Sequence, residues 1–506
     1  MASERRRVLK RVLVANRGEI AVRIIRACRE AGIESVAVYS DADARALHVG
    51  LADRAERIGP APALQSYLDI GAVVDAALRS GADAVHPGYG FLSERADFAR
   101  AVETSGLTFI GPPAVAIERM GSKIGARALM EGAGVPIVPG RTPPDQTDRG
   151  IAEAADRIGF PILIKASAGG GGRGMRVVRG ADDAVELIAA ARREAAAAFG
   201  DGTLYVEKLI ERPRHVELQV FGDDYGSVVH LFERECSLQR RHQKVVEESP
   251  SPALAPAVRE RMGAAAIAAA KAAGYRNAGT IEFLLEGEGD EARFYFLEMN
   301  TRLQVEHPVT EAVTGVDLVR AQLEVAAGAP LPWAQESLRQ RGHAVECRIY
   351  AEDPSSNFLP QAGPLLLYRE PSGPGIRVDA GVVEGDEIGV NYDPMLAKLI
   401  AVAETRPAAL QRAIAALKAF PILGIRTNIP FLLRVLQHPD VQRGAAHTSF
   451  LDEHLAELTT PAQASAAAIA AAAIAGRTVV RDPVPESIGG APPSADPWTR
   501  LENWGR

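Results

Sequence analysis

Cysteine is scarce: only Cys28, Cys236 and Cys347 occur in 506 residues. Three widely spaced thiols make neither a disulfide framework nor a C-x-x-C metal knuckle. A stapled secreted scaffold is therefore excluded, and a reducing, cytoplasmic setting fits. Long hydrophobic runs are missing too. The longest, Ala466–Ala475, is ten residues of alanine and isoleucine, well short of the roughly 20 that a bilayer-spanning helix needs, so no membrane segment is expected. Met1–Lys10 holds Arg5-Arg6-Arg7 but no apolar stretch, and reads as a solvated tail rather than a signal peptide. Nor is positive charge in excess. The 57 Lys+Arg against 64 Asp+Glu leave a net −7, which argues against coating nucleic acid or an anionic membrane. Any basic site must be local.

What is present is ordinary globular composition, 47% hydrophobic and 24% charged, in a chain long enough for about three domains at roughly 150 residues each. The opening alternates strand and helix: Val12–Ala15, then Glu19–Glu30 with Ile20, Arg23, Ile24 and Ala27 at helical spacing, then Ser35–Tyr39. Ala82–His86 leads into Pro87-Gly88-Tyr89-Gly90, and Leu107–Gly111 into Pro112-Pro113. This predicts an α/β chain that starts with a doubly wound parallel sheet over 1–110, with ligands near the carboxyl ends of its strands. A helical connector follows over 111–136, with Met120–Gly132 periodic. A small α+β part over 137–209 contains the strand Pro161–Lys165 and the helix Ala181–Phe199. A strand-rich region with polar/apolar alternation covers 210–452. The tail 453–506 carries the alanine-rich helix, a Pro/Gly/Ser-rich linker Pro483–Pro497, and Trp498 and Trp504.

Three segments carry chemistry. Ser167-Ala168-Gly169-Gly170-Gly171-Gly172-Arg173-Gly174-Met175 follows a strand ending in Lys165. Consecutive glycines let backbone N–H groups turn toward one anion in conformations that side chains forbid. The alternative is a flexible loop tip. Flanking strands on both sides favour a hairpin lid over a polyphosphate, although neither a Rossmann nor a Walker fingerprint is present. Second, in Leu297–His307 an extended chain puts Glu298, Asn300, Arg302, Gln304 and Glu306 on one face and Met299, Leu303 and Val305 on the other. If Thr280–Leu285 and Arg293–Asn300 form a hairpin around Gly287 and Gly289, Glu282 becomes a diagonal neighbour of Glu298 within about 7–8 Å. Such a set of hard oxygens suits Mg²⁺ or Mn²⁺; a solvated strand face is the plainer alternative. Third, Glu235 to Lys244 is densely cationic, and with His215 and Lys165 it would surround anions. Its alternative is a basic surface strand. Arg348, on an apolar-polar strand pattern, adds another candidate inward guanidinium.

Together these segments resemble the signature segments of biotin carboxylases, ATP-grasp enzymes that serve acetyl-, propionyl- and other acyl-CoA carboxylases and pyruvate carboxylase. The resemblance rests on Asn16-Arg17-Gly18-Glu19-Ile20-Ala21, His86 to Glu94, the glycine run, Arg240 to Lys244 and Glu298 to Pro308, and runs in order from Arg11 to His454. It implies a pre-ATP-grasp domain, an ATP-grasp lid and body, and a C-terminal antiparallel sheet. It further implies that Lys123, Lys165 and the lid glycines Gly170, Gly171 and Gly172 contact ATP phosphates. Glu207, Lys208 and Ile210 would face the adenine, and His215, Gln239 and His242 would line the nucleotide site. Glu282, Glu298 and Asn300 would hold Mg²⁺ or Mn²⁺, two ions in all. Lys244, Arg302, Gln304 and the Val305 backbone would bind bicarbonate, Glu306 would be the base, Arg348 would stabilise the biotin enolate oxygen, and Arg17 and Asp393 would lie near biotin.

One departure is informative. Biotin is attached in this family within Ala-Met-Lys-Met, and here none of the seven methionines precedes a lysine. The resemblance therefore implies a separate biotin carboxyl carrier protein or domain, a carboxyltransferase partner, and a homodimer or larger assembly in fatty-acid or related acyl-CoA metabolism. Asp496-Pro497-Trp498 to Arg506 resembles the start of a following domain, as in a truncated chain or a naturally short subunit. Origin in a pyruvate or urea carboxylase stays open. Another ATP-grasp ligase would share the lysines and metal carboxylates but not Lys244, Arg302 and Gln304 beside Glu306. A catalytically dead regulatory module would be expected to have lost one of those groups.

Overall fold

The β-branched segments near the N-terminus pair side by side. In the computed structural model, which describes residues 7–167 and 175–460, five parallel strands form a sheet in the order Arg54–Gly59, Glu34–Ser40, Arg11–Val14, Ala84–His86, Thr108–Phe109. The strand Arg54–Gly59 escapes sequence reading because it is an edge strand of mostly exposed polar residues with no apolar alternation. Helix Gly18–Glu30 turns Ile20, Ile24, Ala27 and Cys28 into the core. Its Arg23 reaches Glu311 at 3.0 Å and Asp317 at 2.7 Å, tying this helix to the far part of the chain.

The connector is two helices, Ala114–Gly121 and Lys123–Gly132. The periodic stretch Met120–Gly132 is broken at Ser122, whose hydroxyl accepts from the Gly125 N–H at 3.1 Å and caps the second helix, placing Lys123 in its first turn. Next come four antiparallel strands in the order Gly140–Arg141, Leu204–Lys208, Ile162–Ala166, Arg176–Val178. Helices Asp148–Ile158 and Ala184–Phe199 complete this small part, the second starting three residues later than its composition suggests. Gly170, Gly171 and Gly172, between two strands of this sheet, lie outside the described residues. So do Ala466–Ala475, the linker Pro483–Pro497, Trp498 and Trp504.

Eight further strands make one antiparallel sheet in the order Arg293–Asn300, Asn277–Glu286, Arg214–Gly222, Val228–Arg240, Gln243–Ser249, His343–Tyr350, Met395–Ala403, Ile376–Ala380, and three two-stranded sheets lie outside it. The expected polar/apolar alternation does not translate into a wet face. The central strands are buried along almost their whole length, so their polar side chains point into an enclosed site. Helix Pro256–Ala273 covers one face with Met262, Ala266, Ala269 and Ala270. Helices Arg406–Lys418 and Ile429–Gln437 cover the C-terminal end. Helix His307–Thr314 packs on His343–Tyr350 and Val228–Arg240. All three cysteines are buried and free. Among the described residues no helix is long and apolar enough to cross a membrane.

Candidate active site

The site begins as a row of charges running across strands. Register pairs Glu298 with Glu282, Glu282 with Glu217, and Glu217 with Arg234, one residue from each of four neighbouring strands. Glu282 and Glu298 are thus direct partners rather than diagonal ones. A bulge causes the shift: Glu282 opposes Glu298 but Phe283 opposes Phe296, so Leu297 is the extra residue. A second row pairs Arg348 with Lys398 and Lys398 with Asp379.

Lys244 joins the carboxylates. Its Nζ donates to Glu217 Oε2 at 2.5 Å, Glu306 Oε1 at 2.6 Å and Glu282 Oε1 at 2.9 Å. The other Glu306 oxygen accepts from Arg348 at 2.9 Å, while Arg348 Nε donates to Glu247 at 2.6 Å. Arg234, fully buried, donates to Glu217 at 2.6 Å and to Gln219, Thr280 and Thr310 at 2.8–3.0 Å. Asn300 donates to Glu282 at 2.8 Å, and His215 Nε2 lies 3.1 Å from the other Glu282 oxygen. Arg302 donates to Gln304 at 2.7 Å and to Glu94 at 2.9 Å, the latter from the N-terminal part of the chain.

The segment after Asn300 is not extended. Its strand stops there, residues 301–306 form an irregular turn, and helix His307–Thr314 begins with Pro308 in its first turn. Proline is preorganised for that position and cannot donate to a sheet. The turn still brings Arg302, Gln304 and Glu306 to the cluster. Lys398, fully buried, fixes it from behind by donating to the Val305 carbonyl at 2.7 Å.

Beside the cluster opens a cavity of about 400 Å³, the size of a small-ligand site. Lys123, Lys165, Glu207, Glu298, Asn300 and Arg302 line it together with apolar Ile137, Val138 and Met299. Lys165 pairs with Glu207. Lys123 is free of ion pairs among the described residues. Its pKa is lowered, by burial first and by Lys165, against the pull of Glu298. Glu298 is open to the cleft and has no hydrogen bond or ion pair among the described residues. Crowding by protein and then the charge of Glu282 raise its pKa. A carboxylate without a cation, beside Glu282 and an amide oxygen, fits a hard divalent ion.

Burial and charge pull the cluster apart electrostatically. Burial would raise the Glu306 pKa, yet Lys244, Arg348 and Arg234 hold it well below the usual range. Glu282 behaves alike, burial being overcome by Lys244 and His215. Glu217 goes the other way, pushed up to about 7 by burial and the charge of Glu306. Burial would lower the Lys244 pKa, but Glu217, Glu282 and Glu306 raise it well above its ordinary value.

Several expected residues lie elsewhere. Arg240 stacks on Phe358 at 3.8 Å and faces Glu352 at 3.6 Å, and Arg241 donates to Asn357 at 3.3 Å. Only Lys244 of the cationic stretch enters the cluster. The tight turn at Arg241-His242, both at positive φ, splays the side chains to either side. Gln239 is buried opposite Lys244, and Ile210 is buried at the start of the body. The Lys208 ammonium is taken by the Gly159 and Phe160 carbonyls at 3.0 and 2.9 Å and does not line the cavity. Arg17 pairs with Asp43 at 2.6 Å under the Tyr392 ring, and Asp393 is exposed. Neither touches the cluster. Glu217, Arg234, Glu247 and Lys398, by contrast, are central and were missed. For Glu217 and Lys398 the signal is a single charge inside an apolar strand, Val216-Glu217-Leu218 and Ala397-Lys398-Leu399, whereas Arg234 and Glu247 stand beside other charges and carry no such signal.

Comparison with known proteins agrees with this architecture. Residues 8–117 match the family described as biotin carboxylase, N-terminal domain. Residues 122–334 match carbamoyl-phosphate synthase L chain, ATP binding domain, and residues 346–453 match biotin carboxylase C-terminal domain. Biotin carboxylase 1 of Bacillus subtilis is 52% identical over 447 residues, covering 88% of this chain and 99% of that protein. The mitochondrial methylcrotonoyl-CoA carboxylase subunit alpha of Glycine max is 52% identical over 463 residues, 92% of this chain, but this chain spans only 63% of its length. Among solved structures, the biotin carboxylase domain dimer of Hydrogenobacter thermophilus 2-oxoglutarate carboxylase, in complex with MgADP, ADP and bicarbonate, superposes with a TM-score of 0.85. It is 47% identical, over 90% of this chain and 99% of that one. With near-complete coverage of a biotin carboxylase at half identity, on an ATP-grasp fold, this chain belongs to the biotin carboxylase family.

Proposed function

We propose that this chain carboxylates biotin with ATP and bicarbonate, the first half-reaction of a biotin-dependent carboxylase. The observation that carries the reading is Glu306, whose two oxygens are held by Lys244 and Arg348 beside a small-ligand cavity walled by Lys123 and Lys165. Glu282, Glu298 and Asn300 would hold Mg²⁺ or Mn²⁺, which supplies charge neutralisation at the phosphates. The domain division is likewise part of this reading: the limits of the larger sheets support 1–110, a 111–136 connector, a 137–209 lid, and 210–452 for body and C-terminal part, whereas the proposed appendage 453–506 starts inside the compact unit, where Leu458 joins the C-terminal core.

Glu306 starts as a weak base, because Lys244, Arg348 and Arg234 together outweigh its burial. Bicarbonate is an anion of the same kind and competes for Lys244 and Arg302. As Lys244 turns to the substrate, Glu306 gains basicity and takes the bicarbonate proton. The bicarbonate oxygen attacks the γ-phosphorus, the bond to ADP breaks, and carboxyphosphate forms. It splits into CO₂ and phosphate, the phosphate takes the ureido N–H proton, and the ureido nitrogen attacks CO₂. Arg348 stabilises the enolate oxygen as a fixed cation in a buried site. Gln304 and the Val305 backbone orient bicarbonate. Lys165, Glu207 and the lid glycines attend the nucleotide, with His215, Gln239, His242, Lys208 and Ile210 around it. Arg17 and Asp393 border the biotin entrance.

Biotin would arrive on a carrier protein or domain, with a carboxyltransferase using the product and the chain acting as a dimer or within a larger assembly. The acceptor is open, because relatives named for 2-oxoglutarate and for methylcrotonoyl-CoA match alike. Three buried free thiols favour a reducing compartment such as the cytoplasm. The test is ADP release with Mg²⁺ and bicarbonate, with and without free biotin. Turnover should require bicarbonate, rise with biotin, and fall by about 10²–10⁴ in Glu306→Gln. Bicarbonate-independent turnover with an amine acceptor would overturn the reading.

A further inference from the structure

Far along the chain from the catalytic cluster, two histidines and two carboxylates converge. His438 follows helix Ile429–Gln437, and His454 lies between the short helices Phe450–Glu453 and Leu455–Leu458. The two rings sit 4.6 Å apart between centroids, and both pack on Phe450, at 4.9 and 4.6 Å. Glu457 bridges them: its Oε1 is 3.2 Å from His438 Nε2 and 2.5 Å from His454 Nδ1. Asp440 Oδ2 lies 3.8 Å from His438 Nδ1, and one potential ligand atom from each of His438, Asp440 and His454 falls within 4.8 Å of the others. None of these residues contacts ATP-site or bicarbonate-site groups.

We propose that His438, His454 and Glu457 bind a transition-metal dication of the Zn²⁺ class, with Asp440 orienting His438. Two imidazole nitrogens and one carboxylate oxygen are a borderline donor set that favours Zn²⁺ over Mg²⁺. The spacing suits it. Bonds of about 2.0–2.1 Å in a tetrahedron put ligand atoms about 3.3 Å apart. The His438–Glu457 pair already stands at 3.2 Å, and the His454–Glu457 pair needs only to open slightly. Asp440 supplies the second requirement. Its Oδ1 is held by Arg443, leaving Oδ2 toward His438 Nδ1. A ligating histidine that donates its other N–H to a carboxylate is oriented and made more basic. His438 Nδ1 accepts from the Asp440 N–H at 3.2 Å, so metal binding would exchange that contact for donation to Oδ2. The partial exposure of His438, His454 and Glu457, 15%, 30% and 58%, leaves an entry path and room for a water as fourth ligand.

The test uses the whole chain, stripped with chelator and titrated with Zn²⁺ in excess Mg²⁺, and separately with Co²⁺ followed by its visible absorption. One equivalent should bind with a tetrahedral cobalt spectrum. The double variant His438→Ala/His454→Ala should lose that equivalent. Glu457→Gln, at an exposed position that perturbs no packing, should bind at least tenfold more weakly, and Asp440→Asn about 10–100-fold more weakly. Glu298→Gln, at the ATP site, should leave the equivalent intact. Absence of a Zn²⁺ equivalent in the wild type, or its retention at wild-type affinity in the double variant or in Glu457→Gln, would overturn the assignment.

Discussion

Lys398→Met separates two roles that one buried ammonium performs. The side chain is fully buried; its Nζ donates to the Val305 carbonyl at 2.7 Å and stands 3.3 Å from Glu19 and 3.9 Å from Asp379. Methionine keeps the volume and removes the charge. Breaking a buried ion pair from one side typically costs about 3–5 kcal/mol. The lower end applies here at neutral pH, because burial, working against Lys398, already lifts Glu19 to about 7, and without the ammonium it takes up a proton instead of staying charged. Below that pH Glu19 is neutral in both proteins, so the destabilisation should shrink in acid and grow in base.

The effect on turnover has a different origin. Val305 precedes Glu306, and a turn released from its anchor shifts the base. A displacement of about 1 Å can cost about 10²-fold in rate. The variant Lys398→Met/Glu19→Gln removes the orphaned carboxylate, so stability, followed by denaturant unfolding, should largely return. Bicarbonate-dependent ATP cleavage should not, because the Val305 carbonyl still lacks its donor. Wild-type turnover in Lys398→Met, or recovery of rate together with stability in the double variant, would refute the positioning role.

Other consequences can be checked singly. Arg348→Ala should reduce biotin carboxylation about tenfold or more beyond its effect on bicarbonate-dependent ATP cleavage, since a fixed cation facing a developing enolate acts in the later step; equal loss of both activities would contradict this. The folded chain holds a proton on Glu217 up to about pH 7 that the unfolded chain releases near 4.5. Stability from this group is therefore fully present below 4.5 and lost as pH rises to about 7, and Glu217→Gln should gain on the wild type in Tm across that window; parallel pH profiles would refute the shift. A Cβ at Gly381 meets the Glu19 nitrogen at 2.5 Å and Gly18 backbone at 2.7 Å, so Gly381→Ala should destabilise by about 1–3 kcal/mol, and an unchanged melting temperature would show that the helix can back away.

The parts of the site legible in the sequence are those where local rules and chemistry agree. Hairpin logic puts Glu282 and Glu298 on one face only under an assumed register, since a one-residue slip would send them to opposite faces. Their exact pairing was not legible, because a bulge at Leu297 has no signature beyond ordinary strand residues. Glu306 was found through the wrong geometry: alternation put it on the right face of a strand that ends at Asn300, and a turn closed by Pro308 delivers it instead. Arg240 and the Lys208 ammonium show how a cation can be engaged elsewhere. A cation in a basic stretch or at a strand end looks available in sequence, yet Phe358 with Glu352 occupies one, and two backbone carbonyls occupy the other.

The residues that were missed share one physical cause. Glu217, Arg234, Glu247 and Lys398 sit on strands buried on both faces, where charges have no water to face and must be matched across strands. Such a match joins residues far apart in the chain, as Lys398 joins Val305 and Glu19, and only the sheet order brings them together. The same arrangement explains why so many charges are tolerated there. Lys244, Arg234, Arg348 and His215, whose pKa Glu282 raises against its burial, face Glu217, Glu247, Glu282, Glu298 and Glu306, so the cluster carries one carboxylate more than cations, and Glu217 sits near its titration point. A divalent ion at Glu282 and Glu298 would relieve that excess and free Lys244 for an anion. On this argument metal and bicarbonate should bind with positive cooperativity, and Glu217→Gln, which supplies the relief without metal, should weaken the coupling. Bicarbonate affinity measured with and without Mg²⁺ and nucleotide checks this, and an unchanged Mg²⁺ dependence in Glu217→Gln would place the coupling elsewhere.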